Sequence, residues 1–239
     1  MEKKIEIDEL YKNYLAICAG VNIRIDQLCL IGKRLRELRL VEEADECYRI
    51  AVDCMLRFLQ KGEIDKALSC ENLIYNCFVK TLETEEHYFK CFSDWSNSFK
   101  DFSFNLKLPP LARGDKSKIC FVVPNGIMLG HTEVMIKIID DWLGSGVSGP
   151  RVSVASLSGV TKEFRGELER RAIPLIHFCT DDFKKLPKPA AATLALREVL
   201  QKSHVHNIVW VSLPTLASFA LSLPLAPRQV FWALKLHPV

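Results

Sequence analysis

The first 107 residues contain no proline, so nothing in that stretch breaks a helical ladder. None of the nine cysteines forms a CxxC pair, and positive charges exceed negative ones by only three. There is also no run of the ~18 apolar residues that a membrane-spanning helix needs. Each absence excludes something. Without tightly spaced ligand pairs a zinc site is not expected. Without a charge excess there is no electrostatic footprint for nucleic acid or an anionic membrane. A GxGxxG after the first β-rich run, a GxxxxGK[ST] phosphate loop, a GxSxG elbow and an HExxH pair are missing too. The start, MEKKIEIDELYKNY, is charged and amphipathic, unlike a signal peptide. Unpaired thiols suit a reducing compartment, so the expectation is a cytoplasmic protein.

What is present falls into two rhythms. Over residues 1–107 apolar side chains recur at three- and four-residue intervals: Leu28, Ile31, Leu35, Leu38, then Ala44, Tyr48, Ala51, Met55. Lys61-Gly62 reads as a glycine helix stop. A further helix is expected over Glu63–Lys80, and another after Thr84 with Tyr88, Phe92, Trp95 and Phe99 as an aromatic packing stripe. Cys47/Cys54 and Cys70/Cys77 are each seven apart, one helix face per pair, and read as core filler. Leu28, Ile31, Gly32, Leu35, Ala44, Tyr48 and Ala51 stand at the offsets of the tetratricopeptide hairpin, in which small residues let two helices approach closely. The segment resembles one such repeat.

Leu108-Pro109-Pro110 and Gly114-Asp115 mark a break. Beyond it β-rich runs at Ile119–Val123, Val152–Leu157, Ile173–Phe178, Ile208–Val211 and Val230–Leu234 alternate with helical patterns. The helices are expected at His131–Leu143, Thr161–Ala172, Pro189–Lys202 and Thr215–Leu221. Strands apolar on both faces, joined by amphipathic helices, predict a covered parallel sheet. The fold class is therefore α + α/β. An all-helical, tetratricopeptide-like domain (1–107) precedes a linker (108–116) and a Rossmann-like sheet domain (117–239).

Ligands of open parallel sheets bind where the strands end. After the first strand that region holds Asn125, Gly126, Gly130, His131 and Thr132; Ser158-Gly159 follow the second and Thr180-Asp181-Asp182 the third. Ser212 and Thr215 follow the fourth strand, Lys235 and His237 the fifth. Hydroxyl and amide groups around a crevice suit a polyhydroxylated ligand. His131, with an unperturbed pKa near working pH, is the candidate general base, and the helix N-terminus favours its neutral form. Its alternative is a helix cap or a loop hydrogen bond. Glu133 in the same turn would repel a docked phosphate. His177 reads as a satisfied core histidine, and His204 and His206 as solvated; no metal site is expected.

Three pieces of the second half, PNGIMLGHTEVM, NIVWVSLP and APRQVFWALKLHP, together with the helical prefix, resemble the N-terminal half of a GT-B glycosyltransferase. The resemblance implies that this region holds the sugar acceptor. His131 would be catalytic there; Asn125, Gly126, Gly130, Thr132, Ser212, Thr215, Lys235 and His237 would be acceptor-binding. It implies no cofactor on this chain; a nucleotide-sugar donor would belong to a second domain of ~150 residues, which this stretch does not include. The stretch alone is therefore expected not to transfer sugar. The expected partners are a protein or glycan acceptor and a protein on the helical domain, with no nucleic acid and no membrane span. The competing reading is a non-enzymatic interaction module that uses the helical hairpins.

Overall fold

A computed structural model describes residues 10, 12–14, 24–78, 93, 97–144, 151–178, 189–211 and 217–232. Two compact units divide the chain, Met1–Phe102 and Ser103–His237. Of the expected aromatic stripe, Tyr88, Phe92 and Trp95 lie outside the described residues.

In the first unit the three- and four-residue spacing becomes α1 (Ile25–Glu37), α2 (Val41–Gln60) and α3 (Ile64–Cys77). Gly62 takes φ +72°. Its N–H bonds Leu59 O and the N–H of Glu63 bonds Phe58 O, both at 2.9 Å; this is the bond pair of a Schellman stop. The α1 end uses the same pair without a glycine. Arg39 sits at φ 63°, its N–H reaching Arg36 O and that of Leu40 reaching Leu35 O. Between α1 and α2 the small-residue expectation holds. A Cβ on Gly32 would lie 2.4 Å from the Phe78 ring and 2.8 Å from Cys47 Cβ. Arg36 closes the bundle, donating to Phe78 O at 3.1 Å and pairing with Asp45 at 2.7 Å.

The second unit is a five-stranded parallel sheet in the order β3-β2-β1-β4-β5. Its strands are β1 (Asp115–Val123), β2 (Arg151–Ser156), β3 (Leu175–His177), β4 (Val205–Val211) and β5 (Arg228–Trp232). Four successive residues, Cys120–Val123, are buried, as a strand covered on both faces requires. Phe121 and Val123 join Val154, Met135, Ile139, Phe164 and Leu168 in one core; pleating sends Cys120 and Val122 to the opposite face. The helices are α4 (Gly130–Gly144), α5 (Lys162–Glu169), α6 (Pro189–Lys202) and α7 (Ala217–Ser222).

β1 and β4 begin earlier than their apolar runs. Polar Asp115–Lys118 extends β1, and Asp115 pairs with Val205 before a register irregularity. Gly114 makes this approach feasible: a Cβ there would meet His206 Cα at 2.7 Å and Val205 O at 2.8 Å. α5 is shorter than its pattern. Thr161 caps it by accepting from Phe164 N–H at 3.3 Å, and Ala172 ends it at φ 54°, with Ile173 N–H on Leu168 O at 3.0 Å. Trp142 is 37% exposed and rests against Phe121, ring centroids 6.0 Å apart, while Ile136 packs into the core. Asp140 is gripped by Arg171 at 2.5 and 2.8 Å, which ties α4 to the end of α5.

Candidate functional site

The strand order changes direction around β1, which has β2 on one side and β4 on the other. The loop at the carboxyl end of β1 thus stands at the switch point, where such sheets open a crevice. Pro124 leaves the strand, and the chain returns at Gly126 to bridge Val160 of the β2–α5 loop. Gly126 N–H donates to Gly159 O at 2.9 Å, and Gly126 O accepts from Thr161 N–H at 2.8 Å. The Ser158 hydroxyl lies 2.8 Å from Pro124 O and against Asn125 Oδ1. Two loops are thereby stitched into one rim.

This geometry sorts the sequence-derived residues. Gly126 is buried, both its backbone polar groups are occupied, and a Cβ there would press on Val160 and Phe164 at 3.0–3.2 Å. Its glycine is explained by the loop bridge. Thr132 is fully buried. Its hydroxyl accepts from Leu129 N–H at 2.8 Å and faces Ile127 O at 2.7 Å and Leu129 O at 2.8 Å, which staples the entry to α4. These two residues hold the rim in shape.

Asn125, Gly130 and His131 stand on the same rim. Asn125 is exposed, and an added Cβ on Gly130 would meet nothing within 4 Å. His131 is half-buried in the first turn of α4. Ile127 and Leu129 add exposed apolar surface beside them. The rim thus combines an amide, an imidazole, an open glycine and exposed aliphatic surface. Ser158 was visible in the sequence only as a hydroxyl in the next loop; its closure onto Pro124 and Asn125 is a tertiary fact. Ser212, Thr215, Lys235 and His237 lie outside the described residues, as do Thr180, Asp181 and Asp182.

Other histidines stand elsewhere. His177 is half-buried, its Nε2 3.3 Å from the Arg165 guanidinium. With the guanidinium donating, the ring proton sits on Nδ1. His204 is exposed at φ 54°. His206 departs from the solvated expectation: it is half-buried, and its Nδ1 is shut from water without a hydrogen-bond partner, because β4 extends through it beside Gly114. Among the described residues no group of three or more ligating side chains is placed to hold a metal ion. No described helix is long and apolar enough to cross a membrane.

No known family profile matches the chain, and no curated protein sequence does either. Among solved structures, a mutant O-GlcNAc transferase from Thermobaculum terrenum is similar at a TM-score of 0.36 with 10% identity, a level at which two chains need not share a fold. The match covers 82% of this chain and 40% of that one.

Proposed function

We propose that the second unit is the acceptor-binding part of a GT-B type glycosyltransferase, one that moves a sugar from a nucleotide-sugar donor. The observation that carries this reading is the placement of Asn125, Gly130 and His131 on a stitched rim at the strand-order switch. In this role Asn125 hydrogen-bonds an acceptor hydroxyl, Ile127 and Leu129 pack on sugar C–H faces, and His131 takes the proton of the attacking hydroxyl. Glu133, exposed two residues further along the same turn, disfavours phosphate there and leaves the donor to another surface. The helical unit, read as a tetratricopeptide-like hairpin, would recruit the acceptor polymer, and the cytoplasm is the proposed location.

The test is equilibrium binding of the chain to an array of glycans and glycopeptides. Binding to an acceptor class, with affinity lowered at least about tenfold by Asn125→Ala or His131→Ala, supports the reading; absence of binding to every member overturns it. With a donor-binding domain supplied, His131→Ala should lower kcat by ~10²–10⁴ at unchanged Tm. A loss smaller than about threefold, below the general-base range, leaves His131 a helix cap. A second reading, a protein-interaction module, is favoured by exposed Leu30 (61%) and Val41 (52%) on the helical unit. Leu30→Glu should then abolish partner binding while glycan binding stays intact.

A further inference from the structure

Four cysteines of the helical unit are arranged about one turn, with buried Cys29 of α1 beside them. Cys54 and Cys70 stand at equal distances along the chain on either side of Gly62, and Cys47 and Cys77 do the same two helical turns further away. In a helical hairpin equal offsets bring residues to the same level, so each thiol on α2 has a counterpart on α3. In the pair nearer the turn the two thiols are neighbours, close enough for Cys54 to help burial hold the Cys70 thiol protonated. Accessibility within this pair is asymmetric. Cys54 is half-buried, whereas Cys70 is 2% exposed. The farther pair has no such entrance, with Cys47 fully buried and Cys77 at 7%.

We propose that Cys54 and Cys70 form a reversible dithiol–disulfide pair, a redox modification site that staples α2 to α3. The oxidant class is a small-molecule disulfide such as oxidised glutathione. The Cys54 thiolate attacks one of its sulfurs, the S–S bond breaks, and one glutathione leaves as a thiolate that takes up a proton. A mixed disulfide remains on Cys54. The Cys70 thiol then gives its proton to water, and its sulfur displaces the second glutathione from Cys54. Two protein thiols are oxidised and one glutathione disulfide is reduced to two thiols. Burial holds the Cys70 thiol up at about 12, so the second displacement is the slow one and closure falls at the slow end of thiol exchange.

The experiment uses the full chain, reduced, desalted, incubated with oxidised glutathione and quenched with an alkylating reagent. Digestion employs trypsin plus a glutamate-specific protease, which cuts after Glu71 and separates Cys70 from Cys77. The expected product is a peptide linked through Cys54 and Cys70, reversed by dithiothreitol, with Tm raised by roughly 5–10 °C. Cys54→Ser, at the half-buried position, should lose both the link and the Tm rise while its far-UV circular dichroism stays that of the parent. Recovery of Cys54 as a stable glutathione adduct with Cys70 still alkylatable after denaturation overturns the proposal. So does linkage through another cysteine, or no linkage at all.

Discussion

Gly32 and Thr132 make opposite use of space at the residue scale. Gly32 is needed because α1 has no room for a side chain against Cys47 and Phe78. Gly32→Leu should therefore overpack the hairpin and cost about 1–3 kcal/mol or more; a melting curve matching the parent's would contradict the close approach. Thr132 is needed for its hydroxyl. Thr132→Val keeps the shape but leaves Leu129 N–H and the carbonyls around it short of a partner, at a cost of about 1–3 kcal/mol. If the rim binds sugar, the same variant should weaken glycan binding without any direct ligand contact. Arg197 belongs to this scale as well. It is 4% exposed, donates to Pro224 O at 2.9 Å and bonds Pro109 O, and burial lowers its pKa from the ordinary arginine value. A buried cation held by backbone carbonyls is a structural tie.

Helix ends decide matters at the element scale. α2 stops on glycine, yet α1 and α5 stop on Arg39 and Ala172 in the same left-handed conformation. For a residue with a Cβ that conformation costs roughly 1 kcal/mol. Ala172→Gly should accordingly stabilise the chain by about 0.5–1 kcal/mol, and Gly62→Ala should destabilise it by a similar amount. Urea denaturation of the two variants checks both signs; a destabilised Ala172→Gly would mean that Ala172 contributes packing which outweighs its strain. The stop at Gly62 was legible in the sequence because glycine announces it. The stops at Arg39 and Ala172 were not, since neither residue type carries the signal and only the returning N–H bonds reveal them. For the same reason Thr161–Ala172 was expected as helix throughout, while regular helix ends at Glu169.

Across the whole molecule, the ion pair between Asp140 and Arg171 joins parts of the chain 31 residues apart. The guanidinium, bonded to both carboxylate oxygens, holds the Asp140 carboxyl below the usual carboxylate range. A depressed folded-state pKa gives stability that is present above the unfolded value of about 3.9 and lost as pH falls through the lower folded value. Asp140 is 42% exposed, so solvent screening keeps the contribution near about 0.5–1.5 kcal/mol. Asp140→Asn should show that deficit at neutral pH, and the gap from the parent should close below about pH 4. A gap that persists unchanged in denaturation curves at about pH 2 would assign the loss to something other than this charge.

Periodicity determined the two rhythms, the helical spacing that becomes α1, α2 and α3 and the five β-rich runs, because the side-chain repeat of a helix or strand is written directly into the order of residues. Strand order was decided only by tertiary structure, since burial of both faces specifies that strands pair but not which neighbour each takes. So was the sorting of Gly126 and Thr132 into the scaffold of the rim, with Asn125 and Gly130 left exposed on it. The closing bonds come from Ser158, Gly159 and Thr161, more than thirty residues down the chain, and contacts between distant segments leave no period in the sequence to read.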